Sequence, residues 1–277
     1  MNLSIVILAA GKGTRMRSDL PKVLHSLGGQ PLLSHAMATA RQFSNANIHV
    51  VIGHGAERVR ETFSDAEVQW VEQTEQLGTG HAVAQAMSGI PDDASVLIMY
   101  GDVPLIRQST LAPLCDIAGQ GFVGVLTAEL DDPTGYGRIL HHADGSISGI
   151  VEEKDASSTE KSIREINTGF IAAPAVKLRR WIDALDNNNS QGEYYLTDVI
   201  ARAVADGVSV RGLSAESVEE VLGINDRMQL AAQERCYQYR RAVECMREGI
   251  TLIDPARFDL RGKLQAGEDV IIDINAV

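Results

Sequence analysis

Two glycines and three cations follow directly on an apolar run, an arrangement that suits an anion. Leu8-Ala9-Ala10-Gly11-Lys12-Gly13-Thr14-Arg15-Met16 continues the run Leu3–Leu8, and Pro21-Lys22 comes shortly after. Gly11 and Gly13 let the backbone approach a phosphate closely, and Lys12, Arg15 and Lys22 add charge. Neither common nucleotide fingerprint is met. Met16 stands where GxGxxG needs its third glycine, and no Gly-Lys-Ser/Thr follows a glycine at Walker A spacing. Taken alone, the loop reads first as an ordinary strand-to-helix turn, and Lys12 as an exposed loop charge. A second chemical candidate is Asp102, at the end of the apolar run Val96–Tyr100. Burying a carboxylate there is costly unless it is paired, caps the next turn or holds a cation. Magnesium keeps waters and binds substrate phosphates, so one aspartate and one further protein oxygen would suffice to hold it.

The elements that must position these groups follow from periodicity. Leu3-Ser4-Ile5-Val6-Ile7-Leu8 reads as a strand buried on both faces. Pro31 then opens a helix with Leu33, Met37, Ala40 and Phe43 on one face, and Ile48–Ile52 closes a βαβ unit. Val68–Val71, a helix with Ala82, Val83, Ala86 and Met87 inward, and Val96–Tyr100 continue the pattern, so the first ~100 residues read as a doubly wound α/β unit. From Gly121 to Pro174, breakers at Asp131–Gly135 and Asp144-Gly145 separate strands that are expected to add to the sheet in antiparallel fashion. A helix through Leu196, Val199, Ile200, Ala203 and Val204 should end before Gly207, ahead of a strand at Val208–Leu213. Asn225 to Glu248 lacks Pro and Gly and reads as a long connector helix, with Leu230, Ala231, Ala242, Val243 and Met246 as its weak apolar face. After Gly249, Ile250–Ile253 and Val270–Ile272 suggest a new β domain of which only the start is present.

Composition narrows the function classes. The 277 residues allow a sizeable core, and 44% hydrophobic against 22% charged residues is ordinary globular usage. A net charge of −12 disfavours nucleic acid and anionic membrane as partners, so an anionic substrate needs a local basic site. Cys115, Cys236 and Cys245 form neither a CxxC nor an even set, which fits a reducing compartment. The N-terminal run has no basic flank, and no stretch approaches ~18 apolar residues. A cytoplasmic protein is expected. The seven histidines show no metal spacing.

Leu-Ala-Ala-Gly-x-Gly-Thr-Arg-Met followed by Pro-Lys resembles the signature of the sugar-phosphate nucleotidyltransferases. Gln73–Ala82, Tyr100–Leu105, Asp132–Arg138, Val151-Glu152, Glu165–Gly169 and Gly192–Asp198 narrow the resemblance. Together they look like the uridyltransferase part of the bacterial bifunctional N-acetylglucosamine-1-phosphate uridyltransferase/glucosamine-1-phosphate acetyltransferase family, along nearly the whole chain. The resemblance implies a Rossmann-like nucleotidyltransferase domain with a mixed, mainly parallel sheet over 1–226, a helical linker over 227–248 and the start of a left-handed β-helix over 249–277. It implies transfer of uridylyl from UTP to N-acetylglucosamine 1-phosphate, giving UDP-N-acetylglucosamine and pyrophosphate, a precursor route to peptidoglycan and lipopolysaccharide. Arg15, Lys22 and Asp102 are its catalytic residues. Leu8, Ala9, Ala10 and Gly11 belong to the nucleotide loop, while Gln73 and the backbone of Gly78 read the uracil. Thr79 is counted with both the nucleotide and the sugar, and Tyr100, Gly101, Gly137, Glu152, Asn167 and Asn225 surround the sugar. Mg2+ is held by Asp102 and Asn225, with the adjacent Asp226 a rival ligand. The whole parent is implied to be a homotrimer that also acetylates glucosamine 1-phosphate with acetyl-CoA, an activity expected to be missing from a chain that carries only the first β-helix strands.

Individually these residues have plainer explanations. Gln73 is a solvated strand-end amide, Glu152 sits in the charged run Glu152-Glu153-Lys154-Asp155, Asn167 caps a turn, and Tyr194-Tyr195 packs. Two other functions compete: a nucleotidyltransferase for another base or sugar, and a non-catalytic nucleotide-sugar sensor. Gln73 with Gly78-Thr79 favours uridine, and a sensor would be expected to have lost Asp102 or Lys22.

Overall fold

The first strand is buried at every position because helices cover both faces of its sheet. The structure, a computed structural model, describes residues 2–275. Along the chain run β1 (Leu3–Ala9), β2 (Ser26–Leu27), β3 (Gln30–Pro31), α1 (Leu32–Ala40), β4 (Asn47–Ile52), α2 (Ala56–Thr62), β5 (Gln69–Glu72), α3 (Thr79–Met87), β6 (Ser95–Tyr100), α4 (Gln108–Gly119) and β7 (Val123–Glu129). There follow β8 (Gly137–His141), β9 (Ile147–Val151), β10 (Glu165–Pro174), α5 (Ala175–Asp183), α6 (Asp198–Ala205), β11 (Val210–Ser214), α7 (Arg227–Arg247), β12 (Thr251–Leu252) and β13 (Ile271–Ile272).

Side chains of a strand alternate between faces, and here both sets go into core. Leu3, Ile5, Ile7 and Ala9 join Leu97, Met99, Val50 and Ile52 beneath α1, α2 and α4. Val6 and Leu8 join Val96, Ile98 and Val51 beneath α3, α5 and α6. The main sheet has the order β11-β7-β10-β6-β1-β4-β5, with the β8–β9 hairpin attached to β10. β1 pairs in parallel with both β4 and β6, β4 with β5, and β11 with β7. β10 enters antiparallel between β6 and β7, as the turn-rich middle of the sequence implies. The chain winds away from β1 in both directions, so the carboxyl ends of β1 and β6 flank the point where an open α/β sheet binds its ligands.

The sequence reading assigns no helix to α2, α4 or α5. α2 buries only Ala56 and Val59, α4 carries Pro113 in its interior, and α5 is rich in charge. The apolar face read for α7 is corrected: Ala231 and Met246 are exposed, and Gln233, Gln238, Ala242 and Cys245 are the buried positions. Polar glutamines hide such a face from any apolar periodicity. Gln238 accepts from the amide of Leu260 at 2.7 Å. α6 does end before Gly207, which takes φ +69°. β12 and β13 form a separate parallel pair.

His49, in the middle of β4, is fully buried, and among the described residues neither ring nitrogen has a hydrogen-bond partner. Burial pulls its pKa down, as it does those of His25 and His35. A histidine whose folded pKa is depressed binds its proton more readily in the unfolded chain. Stability is therefore lost as pH falls through the unfolded value of about 6.5. The exposed His141, raised by Glu165, acts in the opposite sense. Thermal midpoints are expected to drop between about pH 7.5 and 5.5, and His49→Leu should flatten that slope. An equal or steeper slope in the variant refutes the assignment.

Candidate functional site

The loop after β1 is shaped by two conformational demands. Gly13 takes φ +59°, and a Cβ there would lie 2.7 Å from Lys22 Cβ, so glycine lets the Lys22 segment press against the loop. Thr14–Met16 forms a 3-10 turn in which Met16 is buried and its carbonyl accepts from Arg227 Nε at 3.2 Å. Met16 is thus an anchor, which explains a large residue where a dinucleotide loop would have glycine.

Lys22, Asp102 and Asn225, distant in sequence, meet beside the cleft, which Lys22 and Asp102 line. The Lys22 ammonium forms an ion pair with Asp102 Oδ2 and donates to Asn225 Oδ1 at 3.1 Å. The Lys22 and Asp102 side chains are only 14% and 15% exposed. The two oxygen-bearing loops are tied directly, since Ile224 N donates to the Asp102 carbonyl at 2.9 Å. Asp226 faces another task. Its carboxylate caps α7, accepting from Met228 N at 2.9 Å and Gln229 N at 2.8 Å.

A cleft of about 500 Å3 opens over these groups. Leu8, Ala9, Ala10, Gly11, Lys22, Gln73, Gly78, Thr79, Tyr100 and Asp102 all line it. The lining also includes Thr14, Gln76 and Glu193, to which the sequence reading gave no role. Gln76 and Glu193 lie inside motifs that had been singled out, and that was their only signal. Lys12 is exposed and lines the cleft. Arg15 is exposed on the 3-10 turn and is absent from the lining.

Gln73 is not a solvated amide. It is 3% exposed, and its Nε2 donates to Gly78 O at 3.1 Å and meets His81 Nδ1 at 3.0 Å. Gly78 needs φ +113°, and any Cβ there would meet the Tyr194 carbonyl at 2.6 Å. Thr79 turns its hydroxyl to the amide of Leu196, 3.1 Å away.

Around Tyr100 lies a second group. Asn167 and Gly137 are register partners of β10 and β8, and a Cβ on Gly137 would lie 3.4 Å from Glu152 Oε2. Glu152 is turned inward, accepting from Thr197 Oγ1 at 2.9 Å, and burial raises its pKa above the usual carboxylate range. The other acids of its run face elsewhere, Glu153 pairing with Arg138 and Asp155 accepting from Ser190 N. Burial, then the charges of Glu152 and Asp102, push the Tyr100 phenol upward. Asn167 Oδ1 accepts from Gly169 N at 3.0 Å, so the turn-capping explanation of that residue holds locally. Gly101 is buried among Ala9, Val23 and Leu33. Tyr195 packs with its hydroxyl near Gln191 and Asp155.

Residues 5–193 match the MobA-like NTP transferase domain. The chain is 54% identical over 275 residues to the bifunctional protein GlmU of Alkalilimnicola ehrlichii, aligning 99% of this chain with 59% of that protein. It is 55% identical over 277 residues to the bifunctional protein GlmU of Pseudomonas entomophila, aligning 100% of this chain with 61% of that one. The chain thus spans about three fifths of the length of the curated relatives it matches. Among solved structures, a nucleotidyl transferase from Methanothermobacter thermautotroptrophicus superposes with a TM-score of 0.60 at 22% identity, covering 85% of this chain and 97% of that one. A UDP-glucose pyrophosphorylase complexed with UDP-glucose gives 0.69 at 15% identity, covering 87% and 100%. At those identities the likeness is one of fold.

Proposed function

The chain belongs to the MobA-like NTP transferase family, and from that premise we propose that it transfers uridylyl from UTP to N-acetylglucosamine 1-phosphate, releasing pyrophosphate and UDP-N-acetylglucosamine. The observation that carries the reading is the Lys22 ammonium bridging Asp102 and Asn225 where the glycine loop opens into the cleft. The choice of substrates rests on the resemblance of the sequence motifs, and relatives above 50% identity along the whole chain support the family.

In this reading the loop from Leu8 to Gly11 lies along the triphosphate, with Gln73 and Gly78 at the base. Lys22 neutralises charge that grows on the phosphate oxygens, and the Arg15 fork is suited to the far end of the triphosphate. Tyr100, Gly101, Gly137, Glu152, Asn167 and Thr79 form the sugar end. The phosphate monoester nucleophile has a second pKa near ~6 and is largely dianionic at neutral pH, so no general base is required. The chain's contribution is alignment and charge compensation.

Asp102 and Asn225 are a fitting pair for Mg2+, being a carboxylate and an amide oxygen that already share one cation, the Lys22 ammonium. When bound, Mg2+ supplies charge neutralisation at the α-phosphate. Asp226, engaged at the cap of α7, is left out of this ligand set.

Residues 1–226 are read as the transferase domain, 227–248 as the linker and 249–277 as the opening of a left-handed β-helix, supported by the parallel β12–β13 pair; residues 276 and 277 lie outside the described set. A cytoplasmic location, supply of cell-wall precursor and a trimeric, acetylating parent belong to the same reading. Among the described residues no helix is long and apolar enough to cross a membrane. The test is pyrophosphate release with each NTP and N-acetylglucosamine 1-phosphate, with and without Mg2+. UTP alone should give a metal-dependent rate, and release with another NTP in its place would reject the assignment.

A further inference from the structure

We propose that His81 is a positioning residue that, together with the Gly78 carbonyl, holds the Gln73 amide one way round toward the cleft, so that the site selects the keto edge of uracil over the amino edge of cytosine. This deepens the reading of the cleft as a UTP site and rests on it.

A backbone carbonyl can only accept, so the Gln73 atom 3.1 Å from Gly78 O must be the amide nitrogen. The second hydrogen of that nitrogen points to His81 Nδ1, 3.0 Å away, which must then be unprotonated. The ring proton then sits on Nε2, which lies 3.1 Å from Gln85 Nε2, so the Gln85 amide must turn end for end to bring its oxygen to that proton. That turn breaks the donation from Gln85 Nε2 to the His81 carbonyl, at 3.3 Å the longer of the amide's two contacts. The ring is held in place from the other side. It packs against Tyr194 with centroids 6.4 Å apart, and the Tyr194 backbone is strapped to the same loop by Gly80 N to Tyr194 O and Tyr194 N to Leu77 O, both 2.8 Å.

With both amide hydrogens of Gln73 committed, Oε1 is what remains for a ligand. Gln73 lines the cleft, and among the described residues Oε1 has no partner. The Gly78 N–H likewise meets no protein acceptor among them. An acceptor beside a donor complements a ring N–H beside a carbonyl, which is the edge of uracil. Cytosine offers a ring acceptor and an amino donor, so both contacts would be mismatched, and unpaired polar groups in a closed site are strongly discriminating. If the Nδ1 acceptor were lost, the Gln73 amide would give up one of the two bonds that hold its orientation, and the alternative rotamer would present N–H to the base.

The experiment compares kcat/KM for UTP and CTP in the parent, in His81→Phe, which keeps the ring packing without the acceptor, and in His81→Asn, whose Oδ1 stands near the place of Nδ1. The UTP-to-CTP ratio is expected to fall by about tenfold or more in His81→Phe, with CTP gaining in absolute terms, and to be largely restored in His81→Asn. An unchanged ratio, equal loss with both nucleotides, or an asparagine variant as unselective as the phenylalanine one would overturn the proposal. Nitrogen-15 NMR of the parent gives a readout apart from activity: the His81 proton is expected on Nε2, and finding it on Nδ1 would also overturn it. A parent that uses neither UTP nor CTP would instead remove the proposed function, while the tautomer measurement would still judge His81.

Discussion

Replacing Lys22 with alanine is expected to lower kcat by roughly 10²–10³-fold, about 3–4 kcal/mol, the scale for removing one preorganised donor from developing charge. The size follows from what the ammonium touches. It is the group that holds Asp102 and Asn225 on one side and borders the cleft on the other. Its removal takes a positive charge from phosphates in a protein of net charge −12 and at the same time leaves the Asp102 carboxylate unpaired at their approach. Charge that matters most as it develops acts on turnover more than on UTP affinity, so kcat should fall further than KM rises. Lys12 lines the same cleft but is exposed and forms no ion pair among the described residues, so Lys12→Ala should cost less than Lys22→Ala. Steady-state kinetics of the two variants decide the matter. A crippled Lys12→Ala beside a Lys22→Ala of normal turnover would place the triphosphate in another register on the loop.

How much of this was legible in advance depended on whether a residue's role is local. The burial of β1 could be read from Leu3–Leu8 because a strand covered on both faces has no alternation to conceal. The end of α6 could be read because Gly207 adopts a left-handed conformation that its position requires. The α7 face could not, since two of its four buried side chains are glutamines. Nor could the meeting of Lys22 with Asp102 and Asn225, which lie 80 and 203 residues away. No periodicity reports a contact of that range, and only the family resemblance brought those three residues together beforehand. Gln73 was misjudged on its own merits because an amide carries no sign of being buried until its partners, Gly78 and His81, are folded against it. Glu152 shows the same limit: its charged neighbours suggested a wet surface, yet Thr197 draws it inward while Glu153 and Asp155 turn to other partners.

Asp102→Ala is the other substitution with a large expected effect, a barrier raised by several kcal/mol, or a loss on the order of 10³-fold in turnover, if this carboxylate brings Mg2+ to the phosphates. A folded Asp102→Ala protein of near-normal rate would sink the metal assignment. Its neighbours separate a ligand from a cap. Asn225 shares the Lys22 ammonium with Asp102, and its backbone N–H donates to Gln229 Oε1 at 2.7 Å, leaving the side-chain oxygen on the cation side. Asp226 points the other way, into the first turn of α7. Asn225→Ala is therefore expected to raise the Mg2+ concentration needed for half-maximal rate while leaving the melting temperature near that of the parent. Asp226→Ala should do the reverse, costing about 1 kcal/mol of stability for a lost N-cap and leaving the metal requirement where it was. Metal titrations and thermal unfolding on the two variants read these effects independently. If Asp226→Ala shifted the metal curve and Asn225→Ala did not, the ligand beside Asp102 would be the carboxylate, and the cap seen here would have to open before the metal binds.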